Sequence, residues 1–368
     1  MAGGGLACLG LAVIALSSRD VSGPIHSTRF AGTAGSVPLG LTAGQTSMAV
    51  WTARTTAHRR SSTISMSLAG DQIVKQLEGQ GRKDVKVVSG SKIVADGKEA
   101  FWKIGTGGSS ADISLLRYEA EGLARMADAS EGLLAVPRPW LVGEVQTASG
   151  ASGFIVMDML RPGAGRAESQ RRFGLGLAAM HSAPVPDDWG PDLFGFPLDG
   201  CCGAFSQPNN AQRKKMNWIE FWTEHRLGHQ LKRVEDREAR DLGDRIIRGL
   251  PRLFPFPVED IRPSLLHGDL WSGNHGVDSR TGLPSVYDPA AYYGHDEADF
   301  GIARMFGGLS PEFYDAYFSV RPKKPGFEQR AILYELHHHL NHYNIFGGGY
   351  LRDAKSLMRT LVGEMEKL

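Results

Sequence analysis

The chain has 368 residues, 42% of them hydrophobic and 22% charged, with 41 basic against 40 acidic residues and a net charge of +1. These values exclude collagenous, coiled-coil and wholly disordered chains, and the charge balance argues against a nucleic-acid binder, which needs surplus Lys and Arg. The length lets one large domain or two modest ones bury a core, so no disulfide framework is needed. Cys8 stands alone and Cys201 is followed directly by Cys202, with no C-x-x-C spacing for a structural zinc.

Residues 1–66 read as a leader. Ser, Thr, Ala and Gly dominate, Lys is absent, Asp20 is the only acid, and the basic residues are Arg19, Arg29, Arg54, Arg59 and Arg60. That is the chemistry of an organellar transit segment. The opening apolar run Leu6 to Leu16 is too short to span a bilayer, and no other run reaches about 18 apolar residues. A membrane anchor is therefore not expected. A plastid is the first reading, either by a simple presequence or by a signal-like segment before a transit segment; a mitochondrion, or a cytoplasmic product started at Met48 or Met66, are the alternatives.

From Ser67 the pattern is that of a folded domain. Asp71 to Leu77 is helix-like, with Ile73, Val74 and Leu77 on one face. Val85 to Val88 and Ala100 to Ile104 read as a strand pair, separated by Ser89-Gly90-Ser91 and the turn signal Asp96-Gly97. A Gly/Ser loop, Gly105 to Ser110, leads into a helix over 111–127 with Ile113, Leu116, Ala120, Leu123 and Ala127 at helical spacing, Ser109 or Ser110 serving as N-cap. Val136-Pro137-Arg138-Pro139 punctuates, Gly153 to Met157 is a buried strand, and Arg161 to Gly165 is a flexible joint. Helices are predicted over 170–181, 218–234 and 237–250 and from Pro311 to the end. Strands first, a joint, then helices with one embedded hairpin make an α+β two-lobe plan.

The chemistry concentrates in Leu265-Leu266-His267-Gly268-Asp269-Leu270-Trp271-Ser272-Gly273-Asn274 and Val286-Tyr287-Asp288. Asp269 and Asn274 have the D-x-x-x-x-N spacing of a phosphotransferase catalytic loop, and Asp288 follows 19 residues after Asp269. In that reading Asp269 orients the proton of an attacking hydroxyl. Asn274 and Asp288 supply hard oxygen ligands to Mg²⁺, which prefers few protein ligands plus nucleotide phosphates. The turn Asp278 to Gly282, between His275-Gly276-Val277 and Pro284 to Tyr287, predicts a hairpin that returns Asp288 towards Asn274. Upstream, Lys103 on a strand and Glu119 on the next helix are the types that hold ATP phosphates and fix the Lys. Taken alone, that pair reads first as two solvated surface charges, and it gains its meaning from the downstream motif.

These stretches make the chain resemble the fructosamine kinase (ketosamine-3-kinase) family, within the aminoglycoside-phosphotransferase-like branch of the protein-kinase fold. The matching segments are LLHGDLWSGN (265–274), YDPAAYYGHDEADFG (287–301), MFGGL (305–309), FYDAYF (313–318), PGFEQR (325–330), LNHYNIFGGGY (341–350), YEAEGL (118–123), VPRP (136–139), FGF (194–196) and WIEFWTEHRLGHQL (218–231). The resemblance implies a protein-kinase-like two-lobe fold, with a small antiparallel sheet in an ATP-binding lobe over 67–160 and a mainly helical lobe over 161–368 that carries the catalytic loop. It implies ATP-dependent phosphorylation of the 3-hydroxyl of a ketosamine, free or on a glycated protein, whose phosphate then decomposes and frees the amine. By residue it implies Asp269 as catalytic base, Asn274 and Asp288 as Mg²⁺ ligands, Lys103 and Glu119 as the phosphate-positioning pair, and Asp158, Met159 and Leu160 as the adenine-binding linker. It also places Trp271 as a floor for the sugar, or else a packing residue. His267, counted with the substrate region, is read there as a loop-orienting hydrogen-bonding residue rather than an acid or base.

One departure stands out. Relatives carry a longer loop with a Gly-Gly pair, and often a Cys, between the first two strands, where this chain has Ser89-Gly90-Ser91. Fewer backbone N–H groups would then cover the β-phosphate, leaving Gly105 to Ser110 to compensate. Two other readings stay open: a kinase of another hydroxyl, on an amino alcohol or aminoglycoside, and a non-catalytic nucleotide-binding relative. A monomer is expected, with no nucleic-acid or membrane partner. His337, His338, His339 and His342 on one predicted helix could bind a transition metal, but no neighbouring carboxylate or Cys completes a site in sequence, so they read as packing. Cys201 and Cys202 also read as packing, and Arg213-Lys214-Lys215 and Lys323-Lys324 as solvated loops.

Overall fold

The computed structural model describes residues 62–105, 110–148 and 150–368; most of the leader, including its apolar run, and most of the Gly/Ser loop after Gly105 lie outside them. Helix α1 (Ser62–Gly79) is followed by β1 (Lys86–Ser89), β2 (Lys92–Ala95) and β3 (Lys98–Ile104), then by helix α2 (Ser110–Ala129), β4 (Pro139–Thr147) and β5 (Gly150–Asp158). The strands form one antiparallel sheet in the order β1-β2-β3-β5-β4. The expected strand pair is thus a three-stranded meander: Gly90 (φ 44°) and Gly97 (φ 73°) turn the chain at both ends of β2. The four residues of β2 are too short a run to separate from loop by alternation alone. Strand β4, hidden behind the proline punctuation, is the edge strand. Proline is tolerated there because an edge residue need not donate to the ladder.

Side chains alternate across the sheet and decide which helix each strand face meets. Trp102, Phe154 and Val156 are buried against Ala69, Ile73 and Leu77 of α1. Ile155 and Met157 face the other way, into a core shared with Leu116, Leu123 and Met126 of α2. Lys103 follows Trp102, so it projects to the α2 side. Gln76 donates to Glu144 O (2.8 Å) and Gln72 to Gln146 O (3.0 Å), so α1 also satisfies the outer groups of β4.

The remainder is mostly helical: α3 (Ala167–Ser182), a small β6–β7 ribbon (Gly200–Cys202, Phe205–Gln207), α4 (Trp218–Phe221), a π-helical stretch Trp222–Leu227, α5 (Gly228–Leu231) and α6 (Arg237–Gly249). Then come β8 (Ser264–Leu266), β9 (His275–Asp278), β10 (Leu283–Val286) and β11 (Tyr292–Gly294), followed by α7 (Gly301–Phe306), α8 (Pro311–Val320), α9 (Phe327–Phe346) and α10 (Tyr350–Lys367). The helix predicted over 218–234 therefore widens by one residue per turn in its middle. This stretch carries the buried Arg226 guanidinium, 3.9 Å over the Tyr292 ring and donating to Pro208 O and Asn209 Oδ1. Among the described residues no helix is long and apolar enough to cross a membrane.

The segment Arg161 to Gly165 differs from the flexible joint expected of its Gly and Pro. Arg161 N donates to Asp278 Oδ1 (3.0 Å), Gly163 N to Val277 O (2.8 Å), and the Arg161 guanidinium to Glu99 Oε2 (2.7 Å), so it is pinned to the β9–β10 hairpin and to β3.

Helices α3 and α8 meet closely at Gly174, where an added Cβ would sit 2.3 Å from Phe313 O. The obstacle is backbone, so the helices would have to separate. Gly174→Ala is expected to destabilise by about 1–3 kcal/mol in denaturant unfolding. Gly363→Ala, where nothing lies within 4 Å, is expected to be stabilising by roughly 0.5–1 kcal/mol through helix propensity alone.

Candidate active site

Two pairings place the chemistry. Strand β8 pairs with β11, Leu266 opposite Tyr292, and β9 with β10, His275 opposite Val286. The loop 267–274 and the segment 287–291 therefore run side by side, joined where Tyr287 N donates to Asn274 O (3.0 Å) and Ala290 N to His267 O (2.9 Å). Gly268 (φ 79°) lies so close to this segment that a Cβ would be 2.1 Å from Ala290 O. Asp288 itself adopts φ 51°, in the left-handed region that Asp and Asn enter more readily than other side chains.

Asn274 Nδ2 donates to Asp269 Oδ2 and Asp269 O, each at 2.9 Å, and lies 3.4 Å from Asp288 O. With its nitrogen spent on Asp269, the amide oxygen is the atom Asn274 has left for a cation. Lys103 Nζ bridges Glu119 Oε1 and Asp288 Oδ1, both at 2.9 Å. Strand β3, helix α2 and the Asp288 segment are thus tied at one ammonium. Burial works against the Lys103 charge, but the two carboxylates hold its pKa above the usual value; burial raises that of Glu119.

Burial pushes the Asp269 carboxyl up to about 7, with Asp288 and Asp299 adding repulsion and the Asn274 hydrogen bond opposing. A group there can take a proton from a hydroxyl near neutral pH, which a carboxylate at its ordinary pKa does poorly.

Three of the residues named from the sequence acquire defined partners in the folded molecule. His267 is fully buried, with Nε2 3.0 Å from Tyr287 O and Nδ1 accepting the Asp269 N–H (3.3 Å); burial lowers its pKa. It orients the loop from behind and is not exposed to a substrate. In the linker, the Asp158 carboxylate accepts from Trp140 Nε1 (2.7 Å) and Arg138 N (3.1 Å), and Met159 N points to Glu99 O (3.4 Å). Asp158 therefore fastens β4 to the linker with its side chain. Trp271 is half-buried, packed on Gly273 and 5.7 Å from Phe306.

Two features escaped the sequence reading. Asp299, wholly enclosed, accepts from His267 N (2.8 Å) and Gly268 N (2.6 Å) and lies 3.1 Å from His181 Nε2. Its only sequence signal was a place in DEADFG (296–301), where three acids in four residues gave no reason to prefer one. From Trp271 a run of rings continues through Phe306, His342, Phe346 and Tyr350, at successive centroid distances of 5.7, 5.0, 5.7 and 6.2 Å, with Phe346 64% exposed.

Asp299→Ala would orphan two buried N–H donors and is expected to cost about 1–3 kcal/mol for each in denaturant unfolding. The raised Asp269 pKa makes a second prediction. Between its ordinary pKa of 3.8 and about 7 the folded state binds the extra proton, so stability should fall as pH rises through that window. Asp269→Asn should lack this fall, and ¹³C NMR of the nucleotide-free protein should place the Asp269 carboxyl midpoint near 7. A midpoint near 4 would contradict it.

A family model for fructosamine kinase matches residues 66–364. The chain is 42% identical over 249 residues to the chloroplastic protein-ribulosamine 3-kinase of Oryza sativa subsp. japonica, covering 67% of this chain and 68% of that one. It is 47% identical over 174 residues to the ketosamine-3-kinase of Mus musculus, 46% of this chain and 54% of that one. A crystal structure of a candidate fructosamine-3-kinase from Thermobifida fusca superposes with a TM-score of 0.64 at 27% identity, covering 80% of this chain and 99% of that one. The cleft, with its sheet lobe above and helical lobe below, is that of an ATP-dependent phosphotransferase of protein-kinase-like fold, and the chain belongs to the fructosamine kinase family.

Proposed function

We propose that the protein transfers the γ-phosphoryl group of ATP to the 3-hydroxyl of a ketosamine, of ribulosamine or fructosamine type, carried on a protein or an amino acid. The phosphorylated adduct then decomposes and frees the amine. The observation that carries this reading is the meeting of Lys103, Glu119, Asp269, Asn274 and Asp288 in one cleft, in a chain so similar to ribulosamine and ketosamine kinases.

Asp269 receives or orients the proton of the attacking hydroxyl, helped by its raised pKa. Asn274 fixes the Asp269 rotamer through Oδ2. Lys103, steered by Glu119, takes the phosphates, while the backbone of Asp158 to Leu160 lies where adenine would bind. The oxygen-only donors of Asn274 and Asp288 suit Mg²⁺, which would neutralise charge on the transferring phosphates; Asp288 would then be shared with, or released by, Lys103. Trp271 forms the sugar floor, and the ring series from Phe306 to Tyr350 offers an exposed track for the amine carrier. The short Gly90-Ser91 turn gives little phosphate cover, so strong dependence on Lys103 is expected.

The Ser/Thr/Arg-rich leader and the chloroplastic names of plant relatives support a plastid protein, with residues 1–66 as transit segment, 67–160 as ATP-binding lobe and 161–368 as catalytic helical lobe. We take the working form as a monomer with no nucleic-acid or membrane partner.

The test is ATP turnover by the purified protein with Mg²⁺ and ribulose-, psicose- and fructose-lysine adducts. Phosphate should appear at O3, and Asp269→Ala should lower kcat by roughly 10²–10⁴-fold. ATP binding without phosphorylation of any adduct would refute the assignment.

A further inference from the structure

Three side chains from distant parts of the chain converge on one spot beside the cleft. Cys202 ends β6, His338 lies in the middle of α9, and Asp269 is in the catalytic loop; one potential ligand atom from each lies within 4.8 Å of the other two. Cys202 is 3% exposed and His338 4%, whereas Asp269 keeps partial access from the cleft. His338 Nδ1 is buried with no hydrogen-bond partner, a state it shares with His337 and His339 on the same helix, but of the three only His338 belongs to this cluster. Neither Cys202 nor His338 has a part in the phosphate-transfer arrangement.

We propose that Cys202, His338 and Asp269 form a zinc site, with thiolate sulfur, imidazole nitrogen and carboxylate oxygen as three ligands and water as the fourth, and that zinc bound there silences the kinase by occupying Asp269. The donor set selects the ion. Sulfur and nitrogen suit Zn²⁺ and are wrong for Mg²⁺, which takes oxygen and keeps its waters. Tetrahedral zinc with bonds of about 2.0–2.3 Å spaces its ligands roughly 3.3–3.8 Å apart, so the cluster needs to close by only about 1 Å. Binding exchanges the Cys202 S–H bond for an S–Zn bond and, where Asp269 is protonated, its O–H bond for an O–Zn bond, releasing these protons to solvent without any redox change. The cluster adjoins the oxygen pair Asn274 and Asp288, since Asn274 donates to Asp269 Oδ2, but the two sets share no ligand. Silencing rests on the reading of Asp269 as the base; the metal site itself does not.

The experiment uses the full chain in excess Mg²⁺. Co²⁺, a spectroscopic substitute for zinc, should bind once per chain and give a thiolate-to-cobalt charge-transfer absorption that Cys202→Ser abolishes. Zinc added instead should reduce ketosamine phosphorylation in step with occupancy, reversibly on chelation. Cys202→Ser and His338→Gln should keep zinc-free turnover while weakening zinc inhibition by at least roughly 10–100-fold, the loss expected even for partners outside the ligand sphere. Absence of the thiolate band, its survival in Cys202→Ser, or equal zinc inhibition of the wild type and both variants would overturn the proposal. Equal inhibition would put the inhibitory ion on Asn274 and Asp288. If no adduct is phosphorylated at all, the cobalt band still decides the metal site, so failure of the kinase reading and failure of this one are distinguishable.

Discussion

The cleft depends on one enclosed carboxylate. Asp299 accepts the N–H groups of His267 and Gly268, and these two peptides set the direction in which Asp269 leaves the chain. His181 on α3 reaches Asp299 with Nε2 and Tyr317 on α8 with Nδ1; Tyr317 in turn donates to Asp296, which also accepts from Arg321. The catalytic loop is thereby fastened to two helices that meet backbone to side at Gly174. A charged group in such a place is tolerable only because several hydrogen bonds converge on it, which also means that losing them together would be costly. Burial favours the neutral acid, but His181, His267 and the Gly268 N–H hold the Asp299 pKa below its usual value.

Asp269, next in the chain to the Gly268 peptide that Asp299 holds, sits in the opposite condition. It is part-buried with one side-chain hydrogen bond and two neighbouring carboxylates, so its proton is held much more tightly. Two aspartates near one another are thus driven apart in acidity by their partners, one ionised and structural, the other near neutrality and facing the cleft. Separation of that kind is how a site assigns acid–base roles to identical side chains. Lys103 completes the balance, bridging Glu119 and Asp288 from the two sides of the cleft.

Much of the fold was legible because it is local. The stripe of α2, the apolar run of β5 and the turn at 278–282 each express a period or a turn chemistry within a few residues, and the structure has a helix, a strand and a hairpin there. What escaped was short or framed by misleading residues. Strand β2 has four residues, β4 begins at a proline, and Arg161 to Gly165 has loop composition yet is held by hydrogen bonds to neighbours far along the chain. His267 supports the loop as its motif suggested, while the Asp158 side chain is spent on holding β4; sequence displays the hydrogen-bond partners of neither.

The sequence by itself determined the spacing of Asp269, Asn274 and Asp288, because a catalytic loop followed by a tight hairpin is a local arrangement whose geometry the turn residues dictate. It also determined that Lys103 and Glu119 stand on a strand and a following helix, though not that their charges meet. Only the tertiary structure decided which face of β3 looks onto α2, which of the acids in EADFG would be enclosed, and that a lone-looking histidine cluster would find a carboxylate and a thiol. Cys202, Asp269 and His338 are separated by more than sixty residues on either side, so no period or spacing could relate them. They meet because the β6–β7 ribbon, the catalytic loop and α9 pack around the same core, and packing is a property of the whole chain.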